Sequence, residues 1–188
     1  ADDFGSYTKF SYVKKSDAYQ WRIPFESGKA SLNEGLKTDL KDDRGNYVYG
    51  SKEMYYVDKI TTKTHIAIFH YSPRKDARGV KDENGGHSSS LTENLGLNAN
   101  SYKLDKIILY SLPEYTQNPA TAVPIKTVHF EYDYSLCPGV PNNVLAGNFT
   151  QQPALSANEY SNGGGKLTLK KVYFTYRNSN MGKYDGYK

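Results

Sequence analysis

Apolar and polar residues alternate in short runs along most of this chain. The clearest runs are Ile66-Ala67-Ile68-Phe69-His70-Tyr71, Val128-His129-Phe130-Glu131-Tyr132-Asp133-Tyr134 and Val172-Tyr173-Phe174-Thr175-Tyr176. A period of two places successive side chains on opposite faces, which is the signature of a half-buried strand. Residues 7–13 and 19–25 alternate in the same way, with Pro24 marking an edge or an end. Arg44-Gly45-Asn46 is a turn signal ahead of Tyr47-Val48-Tyr49. Residues 54–61 and 64–71 read as a long strand or a bent pair, and residues 102–112, 125–135 and 166–176 as three further strands. Helical periodicity is nearly absent; a short stretch around 32–40 is its one candidate. The pattern predicts an all-β, antiparallel, sheet-rich segment, either a sandwich or a β layer that packs on parts of a bigger protein.

Long polar stretches separate these strands. Residues 27–43, 72–100, 113–124 and 137–165 read as loops, marked by Asn84-Gly85-Gly86, three prolines between 113 and 124, and Gly163-Gly164-Gly165. Loops of such length favour a sheet decorated by excursions over a tightly connected sandwich. The chain reads as a single β-rich domain, or a fragment of a larger protein, over 1–188. A subdivision into N-terminal strands (1–53) and a repeated-strand region (54–188) is the alternative.

The repetition lies in three short copies: Val57-Asp58-Lys59-Ile60, Leu104-Asp105-Lys106-Ile107 and Leu169-Lys170-Lys171-Val172. Each leads, directly or after a loop, into one of the aromatic runs. Lys63-Thr64 and Lys126-Thr127 stand the same distance before Tyr71-Ser72 and Tyr134-Ser135. Self-similarity of this kind points to architecture ahead of a reaction. The unequal loops between the copies exclude a regular solenoid.

Composition sharpens this reading. Of 188 residues 14% are aromatic, and 18 are Tyr, a residue with an apolar ring and a polar tip that suits partly wet sheets. The net charge of +4 is spread among interspersed lysines and acids, so no nucleic-acid-binding stripe is present. No apolar run is long enough to span a membrane, and no signal peptide is evident. The first residues, Ala1-Asp2-Asp3, include no initiator Met, and the last, Tyr184-Asp185-Gly186-Tyr187-Lys188, resemble a turn entering another strand. Both ends therefore read as cut from a longer chain. Cys137 is the single cysteine; its place at a strand end predicts a buried, inert thiol.

Candidate chemistry is sparse. Glu131 and Asp133 share one strand face with His129, roughly 6–7 Å apart along the backbone, a spacing compatible with a glycosidase pair but also with any polar strand face. Asp82 and Asn84 in one acidic Gly-containing loop, and Asp42 and Asp43 in another, are the candidate calcium ligands, and calcium is the one cofactor they suggest. Trp21, beside Arg22 and Ile23, is a candidate sugar platform or a core residue. None of His65, His70, His87 and His129 has zinc-like spacing with a third ligand. No residue is assigned a catalytic role, and the chain reads as a non-enzyme.

Residues 56–60, 71–80, 103–107, 125–137 and 165–174 carry a resemblance. Stretches such as Tyr71-Ser72-Pro73-Arg74-Lys75-Asp76-Ala77-Arg78-Gly79-Val80 and Lys103-Leu104-Asp105-Lys106-Ile107 are similar to very large secreted Rhs-like, toxin-complex-like surface proteins of bacteria that use type IX secretion. The resemblance covers about the last two-thirds of the chain. The tyrosine–aspartate repeat of Rhs proteins is present only as the fragments Tyr132-Asp133 and Tyr184-Asp185. The resemblance implies a structural, non-catalytic β segment, secreted or at the bacterial cell surface. It would form part of a larger, hollow β shell around a polypeptide cargo. Its partners would be other segments of the same protein, the secretion machinery or surface glycans. The alternative class is an adhesin-like or carbohydrate-binding β-sandwich.

Overall fold

The computed structural model describes residues 5–25, 47–86, 100–137, 165–179 and 183. They form one six-stranded antiparallel sheet, so the chain is all-β. The strands are β1 (Thr8–Ile23), β2 (Val48–Thr62), β3 (His65–Arg78), β4 (Asn100–Ser111), β5 (Lys126–Leu136) and β6 (Lys166–Thr175), in sequence order across the sheet. A single short helix, α1 (Leu112–Gln117), links β4 to β5.

Several boundaries differ from the sequence expectation. The stretches expected at 7–13 and 19–25 are joined in one strand, β1, whose pairing with β2 runs from Thr8–Thr62 to Ile23–Val48 through one register shift at Ser11/Tyr12 and two around Ser16. β3 continues through residues 72–78, a stretch that reads as loop. α1 replaces the start of the loop expected at 113–124, with Pro113 in its first turn, where a missing N–H costs nothing. Cys137 is exposed, not buried, because β5 ends at Leu136 and the backbone turns at Cys137 with φ 51°. The candidate helix around 32–40 lies outside the described residues. Residue 53 falls inside β2.

The register shows what the repeated motif encodes. In the first hairpin Tyr12 pairs with Val57 and Ser11 with Lys59, so Asp58 stands opposite no residue of β1. In the second, Tyr71 pairs with Leu104 and His70 with Lys106, leaving Asp105 over. In the third, Tyr132 pairs with Leu169 and Glu131 with Lys171, leaving Lys170 over. Each copy of the motif is therefore a β-bulge, with one extra residue in the second strand of a hairpin. The opposing strand carries Phe-x-Tyr in all three cases: Phe10-Ser11-Tyr12, Phe69-His70-Tyr71 and Phe130-Glu131-Tyr132. The sheet is three copies of one bulged hairpin. The aromatic run after Val172 is not the third copy of Phe-x-Tyr; that copy sits in β1. Structural equivalence also aligns Tyr71 with Tyr132, two residues from the Tyr134 that matching the Tyr-Ser pairs selects, a shift that leaves the faces unchanged.

A bulge bends and twists its strand, and here the hairpins part company beyond it. Pairing between hairpins is confined to Lys59–Ile68, Ile60–Ala67 and Thr61–Ile66 at one junction, and to the four pairs from Lys106–His129 to Leu109–Lys126 at the other. Past these ladders, tyrosine hydroxyls supply main-chain partners in place of the neighbouring strand. Tyr71 donates to the Val57 carbonyl and Tyr132 to the Leu104 carbonyl, both at 2.9 Å. The two bonds occupy the same place in successive hairpins. Tyr56 lies edge-on to Tyr71, and Lys103 stands over the Tyr132 ring in the corresponding position.

Few side chains are fully enclosed. Among the described residues the buried apolar set is Tyr19, Ile66, Val80, Ile108 and Tyr134, and Ser16, Asp76, Arg78, Thr127 and Thr175 are buried beside them. As many polar as apolar side chains are buried among the described residues, as expected for a single layer of sheet, which is what those residues form. Replacing Tyr132 with Phe removes only the hydroxyl that bridges β5 to β4. The opening free energy of β4 and β5 amides, measured by native-state hydrogen exchange, is expected to fall by about 1 kcal/mol. Tyr12→Phe, at the equivalent position of β1, where the side chain is exposed, should leave β1 protection unchanged in dilute protein.

Candidate functional site

The densest set of polar contacts lies where the far end of β3 meets the rest of the sheet. Arg74 and Asp76 are two apart on β3, so their side chains share a face. The Arg74 guanidinium grips the Asp76 carboxylate with two bonds, Nε to Oδ1 at 2.9 Å and Nη2 to Oδ2 at 2.7 Å. Asp76 is 0% exposed. A carboxylate without water needs its lone pairs filled, and the Leu167 N–H of β6 donates to Oδ2 at 3.1 Å. The carboxylate thus ties β3 to a strand three places away in the sheet.

Neighbouring atoms reach the other strands. The Lys75 N–H donates to the Tyr134 hydroxyl of β5 at 3.0 Å. The Ala77 carbonyl accepts from Tyr19 of β1 at 2.7 Å and from Ser101 of β4 at 2.8 Å. Ala77 has φ 50°, a left-handed conformation that costs a non-glycine residue about 1–2 kcal/mol. These two bonds hold it there. The Val80 N–H donates to the Gln20 carbonyl and the Gly86 N–H to the Phe25 carbonyl. Arg22 adds a bond from Nε to the Glu83 carbonyl at 2.7 Å while its guanidinium covers the Tyr47 ring. Residues 74–86 therefore act as a strap across the open end of the sheet, touching β1, β4, β5 and β6.

The start of β6 is held equally closely. A Cβ at Gly165 would lie 2.2 Å from both the Tyr134 and Leu136 carbonyl oxygens, a backbone collision, so only glycine permits this approach to β5.

Ionisation follows from this packing. Burial works against the charged Asp76, but Arg74 and the Leu167 amide outweigh it and hold the carboxyl below its ordinary value. Burial pushes the Tyr19 phenol up to about 12. On the body of the sheet, Lys106 pairs across strands with His70 on one side and His129 on the other. Partial desolvation, reinforced by Lys106, lowers the pKa of both imidazoles.

The residues singled out from sequence fall into separate places. Asp133 accepts from Ser135 through Oγ at 2.8 Å and through N–H at 3.2 Å, and pairs with Lys170 at 3.2 Å. Lys170 is the bulge residue of the third hairpin, and Ser72 meets the bulge residue Asp105 in the same way at 2.9 Å in the second. Asp133 thus belongs to a bulge-spanning contact. Its pKa is lowered, first by the Ser135 hydroxyl and also by Lys170. Glu131 is exposed opposite Lys171. His129 stacks on Tyr173 with ring centroids 4.6 Å apart and bonds Thr175 at 2.9 Å. Trp21 is half-buried, with one ring face over its cross-strand partner Gly50, where a Cβ would stand 3.2 Å from the indole.

Asp82 caps a tight turn, its Oδ1 accepting from the Asn84 N–H at 2.8 Å and its carbonyl from the Gly85 N–H at 3.0 Å. The other proposed calcium residues, Asp42 and Asp43, and also His87, lie outside the described residues. Among the described residues no group of three His, Cys, Asp or Glu side chains could hold a metal ion, and no helix is long and apolar enough to cross a membrane.

Sequence reading passed over Arg74, Asp76, Tyr19 and Ala77. The available signal was Arg-x-Asp, an i, i+2 pair of opposite charge that only a strand brings together, inside a stretch that otherwise reads as loop. Compared with known proteins, the chain matches no family model, no curated protein and no solved structure.

Asp76→Ala is expected to lower the opening free energy of the Leu167 amide by about 2–3 kcal/mol, because one N–H and a guanidinium lose a shared charged partner. Hydrogen exchange at that amide is the direct readout. The pH response has a definite sign. Since the folded pKa of Asp76 is depressed, its stabilisation is fully present above the unfolded value of about 3.9 and is lost as pH falls through the lower folded value. The Leu167 protection factor should hold steady above pH 4 and drop below it, and Asp76→Ala should abolish that step.

Proposed function

We propose that this chain is a structural β segment of a large secreted or cell-surface bacterial protein, of the Rhs-like, toxin-complex-like kind, and that it contributes wall and not chemistry. The observation that carries this reading is the threefold repetition of one bulged hairpin. Its aromatic and charged positions are spent on joining strands: Tyr71 and Tyr132 bridge hairpins, and Asp133, Lys170, Ser72 and Asp105 span bulges. Side chains set aside for a reaction would be expected to stand apart from such ties. The thin core among the described residues suits a segment whose faces are completed by other parts of the same protein. Secretion through the type IX route follows from the resemblance in wording.

A carbohydrate-binding module is the second reading. Tyr47, Tyr49 and Tyr55 of the β2 region are exposed and offer faces on which a sugar ring could stack. It ranks second because Arg22 already covers Tyr47 and Trp21 has one face on Gly50.

A segment completed by its surroundings should be poorly stable alone. The dilute, isolated chain is expected to unfold over a broad temperature range and to bind a hydrophobic dye before the transition, by circular dichroism and dye fluorescence. A sharp, reversible, concentration-independent melt of the monomer would contradict the structural reading.

A further inference from the structure

The two outer strands expose the residues that the inner hairpins cover. Phe69, Tyr71, Phe130 and Tyr132 are half-buried, whereas their counterparts in β1, Phe10 and Tyr12, are 52% and 61% exposed. On the opposite edge, Val57, Ile60, Leu104 and Ile107 are half-buried, but their counterparts Leu169 and Val172 are 51% and 43% exposed, with Phe174 alongside at 43%. The difference is one of position in the array. An inner Phe-x-Tyr strand lies against the bulge strand of the hairpin before it; β1 has none before it among the described residues, and β6 none after it.

We propose that the β6 edge of one copy receives the β1 edge of a second copy of this chain, head to tail, in the register that joins the hairpins within it. The occupant is argued from continuity with those internal junctions. Lys59–Ile68 and Lys106–His129 translate to Lys171 opposite Lys9, and Ile60–Ala67 and Ile107–Val128 to Val172 opposite Thr8. Tyr12 then donates to the Leu169 carbonyl of the neighbour, as Tyr71 does to Val57 and Tyr132 to Leu104. Such an interface uses two different surfaces and does not close on itself, so it yields open-ended arrays. Unprotected apolar edges are the usual route to this kind of pairing. One feature opposes it: Lys9 and Lys171 face each other, a like-charge pair that weakens the contact. The inference deepens the structural reading and rests on its view of the hairpins as wall-forming units.

Sedimentation velocity over a concentration series tests association, and hydrogen exchange on the same samples shows whether the sheet is formed. The expected result is a progressive, unclosed series of oligomers. Lys9→Glu should tighten association several-fold by placing opposite charges across the junction. Tyr12→Phe should weaken it about fivefold through the lost hydroxyl. Register is read by mixing Thr8→Cys with Val172→Cys, each carrying Cys137→Ser: disulfide-linked dimers should form in the mixture and not from either variant alone. A folded sheet that stays monomeric at every concentration overturns the inference while leaving the structural reading in place. Cross-links between two copies of Thr8→Cys or two of Val172→Cys also overturn it, by showing a different occupant of the edge.

Discussion

One extra residue in the second strand of each hairpin governs this structure. A sheet whose strands all kept step would pair along their full length and need nothing else to hold it. Asp58, Asp105 and Lys170 break that step at equivalent places, and the strands twist away from the adjoining hairpin beyond them. Every divergence leaves backbone carbonyls and amides without a neighbouring strand, and such groups are costly to bury unpaired. The remaining architecture is the set of answers to that requirement. Tyrosines, with a hydroxyl at the end of a rigid ring, reach across the gaps, which gives Tyr19, Tyr56, Tyr71, Tyr132 and Tyr134 a physical reason.

The strap formed by residues 74–86 answers the same requirement at larger scale. Where the three hairpins splay, short-range pairing cannot hold them, and the end of β3 turns across them instead. Asp76 is its anchor because a buried carboxylate has several acceptor sites and a strong need to fill them. Arg74 on its own strand and the Leu167 amide on β6 fill them together. Removing the carboxylate would leave a guanidinium and an amide to find new partners. The left-handed Ala77 belongs to the same device: its carbonyl faces both Tyr19 and Ser101.

The strand content is legible in the sequence because period-two alternation survives in part of each strand, most clearly in residues 66–71 of β3 and 128–134 of β5. The three Φ-x-Lys-Φ motifs are legible as a repeat, but not as bulges, since nothing in Leu104-Asp105-Lys106-Ile107 says which residue lacks a partner until the facing strand is known. Phe10-Ser11-Tyr12 hides for a related reason: it lies far from its motif in sequence, and only pairing with β2 reveals it as the counterpart of Phe69-His70-Tyr71. Residues 72–78 read as loop because Pro73, Arg74, Lys75 and Asp76 have no apolar alternation; their strand is defined by hydrogen bonds and ion pairing. Cys137 is exposed because β5 ends one residue before it, a boundary that composition does not mark. Glu131 and Asp133 were legible as a pair of acids on one strand, and the lysines they meet, Lys171 opposite and Lys170 in contact, come from a strand more than thirty residues away.

The central claim is that the chain repeats one bulged hairpin three times, and cross-strand nuclear Overhauser effects between backbone protons of the isotope-labelled protein test it most directly. The account predicts connectivities that place Tyr12 opposite Val57, Tyr71 opposite Leu104 and Tyr132 opposite Leu169. Ser11, His70 and Glu131 should then stand opposite Lys59, Lys106 and Lys171, with Asp58, Asp105 and Lys170 skipped. A continuous register that gives Asp58, Asp105 or Lys170 its own partner on the facing strand would contradict it.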